Sequence, residues 1–144
     1  MGLLEQLYQT TILEHYKHPR GRGRLERATH HQEGVNPGCG DELELFLKVI
    51  DGELAEVAFV GEGCAISQAS ASLMTEAVRG KTVAEALQLA EQLRAMLRGA
   101  PPDAALGELR ALQGVSKLPV RVKCAALPWV TLERALGKRP AADA

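Results

Sequence analysis

Aromatic residues are nearly missing from this 144-residue chain, which has one Trp, two Tyr and two Phe. Its core must therefore be built from Leu, Val, Ile and Ala. Excess charge of either sign is missing as well. With 17 basic and 18 acidic residues the net charge is -1, so no global field draws the chain onto nucleic acid or an anionic membrane surface. No segment approaches the ~18 uncharged apolar residues that a membrane span needs. The Leu-rich N-terminus is broken by Glu5 and Glu14, and it lacks the apolar run and small-residue cleavage site of a secretory leader. Cysteine is scarce and odd in number, three in all, which argues against a disulfide framework. These absences leave a soluble, cytoplasmic protein of a reducing compartment, expected to form one domain with a genuine core. Neither an internal repeat nor a second-domain boundary is visible.

What is present reads clearly in order. Leu4, Leu7, Tyr8, Thr11 and Ile12 recur at helical spacing and predict a helix over 3–16, ended by Pro19. Residues 19–29 form a basic loop punctuated by glycine. Asn36-Pro37-Gly38-Cys39-Gly40-Asp41 has turn chemistry. From 42 to 50 Leu43, Leu45, Leu47 and Val49 alternate with Glu42, Glu44 and Lys48, the pattern of a half-buried strand. Asp51-Gly52 is a hairpin turn leading to a second strand over 54–60. Ile66, Ala69, Leu73 and Ala77 mark one face of a helix closed by Gly80. Thr82-Val83-Ala84-Glu85 opens another with a capping box, its stripe being Val83, Leu87, Ala90, Leu93 and Leu97. Gly99-Ala100-Pro101-Pro102 stops it, and a short helix over 104–112 follows, ending near Gly114. Leu118, Val122, Ala125, Trp129, Leu132 and Leu136 carry the period of a C-terminal helix. Pro128 falls inside it and is expected to bend it or mark a new start. The domain is expected to span 1–137, with 138–144 a flexible tail.

The chemistry gathers around Gly61-Glu62-Gly63-Cys64. This elbow follows a strand and precedes a helix, so Cys64 falls at the helix N-terminus, where unpaired N–H groups favour a thiolate. Cys39 and Asp41 are two residues apart and leave an extended segment on one face. An antiparallel hairpin sets the start of its first strand beside the end of its second, which brings Cys64 toward them. Cys124 lies 60 residues beyond Cys64, and only the fold can deliver it. Three thiolates and a carboxylate suit zinc or thiophilic iron rather than calcium or magnesium. The spacing is no standard zinc-finger pattern, and three small core cysteines are the competing reading.

Three motifs then speak together. Asn36-Pro37-Gly38-Cys39-Gly40-Asp41, Gly61-Glu62-Gly63-Cys64-Ala65-Ile66-Ser67 with Ala69-Ser70-Ala71-Ser72, and Lys123-Cys124-Ala125 resemble the IscU/SufU (NifU N-terminal-like) family of iron–sulfur cluster assembly proteins. Leu7-Tyr8 and His15-Tyr16-Lys17-His18-Pro19-Arg20 resemble that family's opening helix. The resemblance implies a single compact α+β domain, a small antiparallel sheet of about three strands with helices packed against it. It also implies that Cys39, Asp41, Cys64 and Cys124 meet at one exposed end as metal or cofactor ligands.

Lys123 stands where the scaffold branch has a histidine, and the segment from Gly80 to Gly114 is long. Leu118-Pro119-Val120-Arg121-Val122-Lys123 departs from the scaffold branch's chaperone-recognition motif with its paired prolines. These features resemble the SufU branch, which implies resting zinc on three cysteines and the aspartate, and persulfide relay from a cysteine desulfurase. Cys39 is then the exchanged ligand and sulfur acceptor; in a scaffold that builds a 2Fe–2S cluster for acceptor proteins, Cys124 is. In either role Asp41 is the labile ligand. The local charge of such a centre calls for a cation, and Arg121, one helical turn before Cys124, can supply it, with Lys123 adjacent. Whether this is an enzyme of the sulfurtransferase kind or a carrier stays open, as does a structural zinc module without sulfur chemistry. A dithiol oxidoreductase would need a C-x-x-C pair that is not there.

Other features have plain readings. His15 and His18 are expected at a solvated helix end, and His30 and His31 at the surface. Arg20, Arg22, Arg24 and Arg27 lack interleaved aromatics, which reads as a solvated loop or a docking surface rather than a nucleic-acid site. Ser67, Ser70 and Ser72 have no partnered base and are expected to bond locally in tight packing, with Trp129 in the core.

Overall fold

The computed structural model describes residues 3–38 and 40–137, with residues 3–8 as backbone only. The opening helix α1 (Leu3–Lys17) is followed by three strands, β1 (His30–Asn36), β2 (Asp41–Ile50) and β3 (Glu53–Glu62). Helices α2 (Ala65–Val78) and α3 (Val83–Leu97), a 3-10 segment (Ala104–Lys117) and α4 (Pro119–Ala135) complete the chain. The strands form one antiparallel sheet in the order β1-β2-β3, and the helices pack against it, an α+β fold. The expected tail, 138–144, and the Leu4, Leu7 and Tyr8 side chains lie outside the described residues, as does Cys39. No described helix is long and apolar enough to cross a membrane.

The hairpin between β2 and β3 forms where Asp51-Gly52 predicts it, both residues at positive φ (52° and 78°), the backbone that a two-residue hairpin turn requires. Leu43, Leu45 and Leu47 are buried on the face turned to the helices. Strand β1 carries no apolar alternation, since His30-His31-Gln32-Glu33-Gly34-Val35-Asn36 is mostly polar, and residue patterning alone does not find it. Its register against β2, from His30↔Leu47 to Asn36↔Asp41, supplies the ladder bonds that hold it. Gly34 faces α4, where a side chain would collide with Thr131 and Leu127. That glycine lets β1 lie flush on the helix.

Helix α2 is the centre of the molecule. The four-residue stripe expected from sequence understates its burial, because every residue from Ser67 to Thr75 is buried. Small residues make this possible, and three serines bring partners from outside. Ser70 Oγ donates to the Ala125 carbonyl (2.6 Å) and accepts from Trp129 Nε1 (3.1 Å). Ser72 Oγ accepts from the Arg20 backbone N–H (2.8 Å) and sits 2.7 Å from His15 Nδ1. These bonds cross between elements; of the three serines only Ser67 also bonds locally, to the Cys64 carbonyl. Trp129 is fully buried, as expected. Left without its acceptor, the buried indole N–H would cost about 1–3 kcal/mol.

Two other expectations change, and a third, at Pro128, narrows to one of its two outcomes. His15 is not at a solvated helix end but buried, 2% exposed, between α1, α2 and the 3-10 segment. The helix over 104–112 is a 3-10 stretch that continues to Lys117 and breaks at Gly107 (φ 52°, ψ -123°), a backbone open to glycine. Helix α4 passes through the buried Pro128 as one element. The capping box of α3 is present, Thr82 Oγ1 accepting from Glu85 N–H (3.1 Å) and Glu85 Oε1 from Thr82 N–H (2.9 Å).

The basic loop is tied down rather than free. Gly21 and Gly23 bond the backbone of Phe59 in β3. Arg20 pairs with Glu14, Arg24 with Glu44, and Arg22 donates to Gln68 Oε1.

Burial lowers the pKa of His15 from 6.5, helped by the charge of Arg20 and opposed by Glu76 and Glu108. Below about pH 6.5 the unfolded chain therefore binds a proton that the folded protein refuses, and stability falls as pH falls through that range. Urea titrations at pH 7.5 and 5.5 are expected to show this loss in the parent protein and a smaller one in His15→Gln.

Candidate metal centre

The centre is assembled where the sheet meets the N-terminus of α2. Cys64 is the N-cap residue of that helix, with extended backbone (φ -70°, ψ 167°), the position its elbow predicts. No side chain of its own caps the helix. Asp41, the first residue of β2, does it from across the hairpin. Its Oδ1 accepts the Cys64 N–H (2.9 Å) and the Ser67 hydroxyl (3.2 Å), placing negative charge at the positive end of the helix.

The register explains this reach. Glu42 pairs with Glu62, so Asp41 stands level with the turn after β3. Gly63 fills that turn because a β-carbon there would fall on Asp41 Oδ1 and Ser67 Oγ. Gly61 is needed for a similar reason, since its β-carbon would run into the Glu42 carbonyl.

Cys124 arrives on the second turn of α4. Ligand atoms of Asp41, Cys64 and Cys124 all lie within 4.8 Å of one another, although 83 residues separate the first from the last (124 − 41). A tetrahedral ion with bonds of ~2.0–2.3 Å sets its donors about 3.5 Å apart, so small side-chain movements close these three on one ion. Cys39 belongs to the β1–β2 turn by sequence but lies outside the described residues.

The centre is less open than expected. Asp41 and Cys124 are fully buried and only Cys64 is partly exposed. The Cys124 thiol also approaches the Val120 carbonyl one turn back (3.8 Å). Of the two expected cations, Arg121 reaches the site. Its guanidinium lies beside Cys124 and Cys64, and interaction with Cys124 first, then with the charge of both sulfurs, raises its pKa above the usual arginine value. Lys123 instead lines a separate groove with Arg98 and Val122.

Two residues outside the expected ligand set complete the arrangement. The pattern around Ser67 predicts packing, yet its hydroxyl holds Asp41. Asn36 has the chemistry of a turn residue, yet it is buried, and its Nδ2 donates toward Asp41 Oδ2 (3.4 Å) and Cys124 Sγ (3.9 Å). The detectable signal was the symmetry of the turn, with Asn36 and Asp41 closing the four residues between them.

Two further clusters join a histidine to carboxylates. His15 lies against Glu76 and Glu108, and His31 against Glu33 and Glu44. One carboxylate of each already pairs with an arginine, Glu76 with Arg20 and Glu44 with Arg24, and neither cluster contains sulfur.

Known proteins agree with this geometry. The chain is 45% identical over 138 residues to the zinc-dependent sulfurtransferase SufU of Bacillus subtilis, covering 94% of this chain and 92% of that protein. It is 42% identical over 137 residues to the iron–sulfur cluster assembly scaffold protein IscU of Thermotoga maritima, covering 94% and 96%. The structure named as an iron–sulfur cluster assembly scaffold protein for the SUF system (FiSufU), from Fervidobacterium islandicum AW-1, superposes with a TM-score of 0.86 at 39% identity, covering 92% of this chain and 98% of that one. The family model described as the NifU-like N terminal domain matches residues 7–138. With that match, and with the paired thiols and carboxylate where the motifs predict them, the chain belongs to the NifU-like N-terminal domain family.

Proposed function

We propose that this protein accepts persulfide sulfur from a cysteine desulfurase at a zinc-holding centre and hands it into iron–sulfur cluster assembly. The observation that carries the reading is the meeting of Asp41, Cys64 and Cys124 within 4.8 Å, with the Arg121 guanidinium beside the sulfurs. The donor set fits zinc, with Cys39 as the fourth ligand: sulfur-rich, small enough for four-coordination, and negative enough to hold a divalent ion. Zinc bound there keeps the thiolates deprotonated and protected from oxidation.

Each residue has a stated role. Cys39, on the turn between β1 and β2, is the attacking thiolate. Its sulfur forms a bond to the outer sulfur of the desulfurase persulfide, the partner's S–S bond breaks, and the electron pair leaves on the partner's thiolate. The exchange is balanced, with no net oxidation. Complete burial of Cys124 supports its role as a retained ligand, because an attacking thiol must be reached by its partner. Arg121, exposed beside the two sulfurs, balances their charge. Asp41 is the labile ligand.

A scaffold reading uses the same four ligands and has its own support in the 42% identity to the protein named IscU. In that role Cys124 takes sulfur first and a 2Fe–2S cluster is the cargo, built for acceptor proteins. A structural zinc module is the third reading.

Three measurements decide. Freshly purified protein is expected to hold about one zinc per chain by elemental analysis; iron with a stable visible chromophore after anaerobic reconstitution would favour the scaffold. Incubation with a cysteine desulfurase and cysteine is expected to add sulfur to Cys39, seen by mass spectrometry of peptides. Sulfur on Cys124 alone would favour the scaffold, and none on any cysteine the structural module. Asp41→Ala is expected to release bound metal to a chelator more slowly than the parent; faster release would remove Asp41 as the labile ligand.

A further inference from the structure

The sheet and α4 deliver their ligands independently, and one side chain spans the gap between them. Residues 34 and 36 share a face of β1. Gly34 lies against Thr131 and Leu127 of α4, so Asn36, two residues on, faces the same helix nearer its N-terminus. There it meets Cys124, one turn before Leu127. A primary amide carries two N–H donors, and the structure gives them two acceptors, Asp41 Oδ2 at 3.4 Å and Cys124 Sγ at 3.9 Å. Asn36 is only 9% exposed, so water is a poor substitute for either bond.

We propose that Asn36 is a positioning residue of the metal centre, its side-chain amide fixing the strand ligand Asp41 and the helix ligand Cys124 in one arrangement. The inference rests on the metal-centre reading above. The other Asp41 oxygen is already committed to Cys64 N–H and the Ser67 hydroxyl, so Asn36 fixes the remaining rotation of the carboxylate. Toward Cys124 the amide does more than orient. An N–H donated to a thiolate withdraws charge from sulfur and lessens its repulsion with the carboxylate beside it. Both anions therefore stay in place, close together, while a fourth ligand is exchanged. The amide is neutral, so it does this without adding a cation that would compete with the metal.

The test uses the protein loaded with zinc or cobalt(II), with Asn36→Ala and Asn36→Leu, which keeps the branching and heavy-atom count of the side chain, as variants. Outer-shell partners of metal ligands are worth about 10–100-fold in affinity. Both variants are expected to lose zinc affinity by that factor in chelator competition. Both are also expected to shift the thiolate-to-cobalt charge-transfer band to lower energy, because sulfur without its N–H donor gives up an electron more readily. A purely structural role would lower the melting temperature of the metal-free protein and leave the band in place. Unchanged band energy in whichever variants fold, or zinc affinity within twofold of the parent, overturns the proposal. If the parent itself takes up neither zinc nor cobalt, the metal-centre reading fails first and the role of Asn36 falls with it.

Discussion

A buried carboxylate with no cation among the described residues bonded to it must be satisfied by donors, and Asp41 is satisfied by three, two from the start of α2 and one from β1. Cys64 N–H and the Ser67 hydroxyl reach one oxygen from α2, and the Asn36 amide approaches the other from β1. Leaving such a group unpaired would cost several kcal/mol. The strand start, the helix start and the turn between β1 and β2 are therefore locked to one another. The candidate metal centre lies at this joint, with Asp41 and Cys64 in it and Cys124 beside it.

The joint explains why the glycines around it are glycines. Gly61 and Gly63 are not there for positive φ; neither has one. They are there because backbone and carboxylate pass where a β-carbon would sit. Farther along α2 the same economy of size appears as Ser and Ala, which let α1, α4 and β3 close on one helix. Serine adds what alanine lacks, a hydroxyl that satisfies groups buried by that closeness, such as the Trp129 indole and the Arg20 backbone.

Charge is arranged around the centre rather than over the whole molecule. The chain is almost neutral, and Arg20, Arg22 and Arg24 of the loop after α1 are paired with nearby acids and carbonyls. Arg121 is placed differently, beside the two sulfurs and exposed to solvent. The candidate centre thus sits half inside the protein, with Asp41 and Cys124 sealed and Cys64 and Arg121 at the opening.

Local rules in the amino-acid order determined a good deal by themselves. The β2–β3 hairpin, the Thr82 capping box, the N-cap position of Cys64 and the C-terminal helix each depend on residues within a few positions of one another, and short-range preferences decide such features. The same rules do not reach β1, whose strand exists because β2 offers it hydrogen bonds and α4 offers it a floor. They misplace His15, because a histidine on an otherwise polar helix end looks solvated until Ser72 and the 3-10 segment close over it. They pass over Asn36 for the same reason. Its neighbours in sequence say turn, and the partner that gives it meaning, Cys124, is 88 residues away. Which residues bear the chemistry was legible from their types and motifs; which of them touch, and which are sealed from water, only tertiary packing decided, because burial and contact belong to pairs of segments.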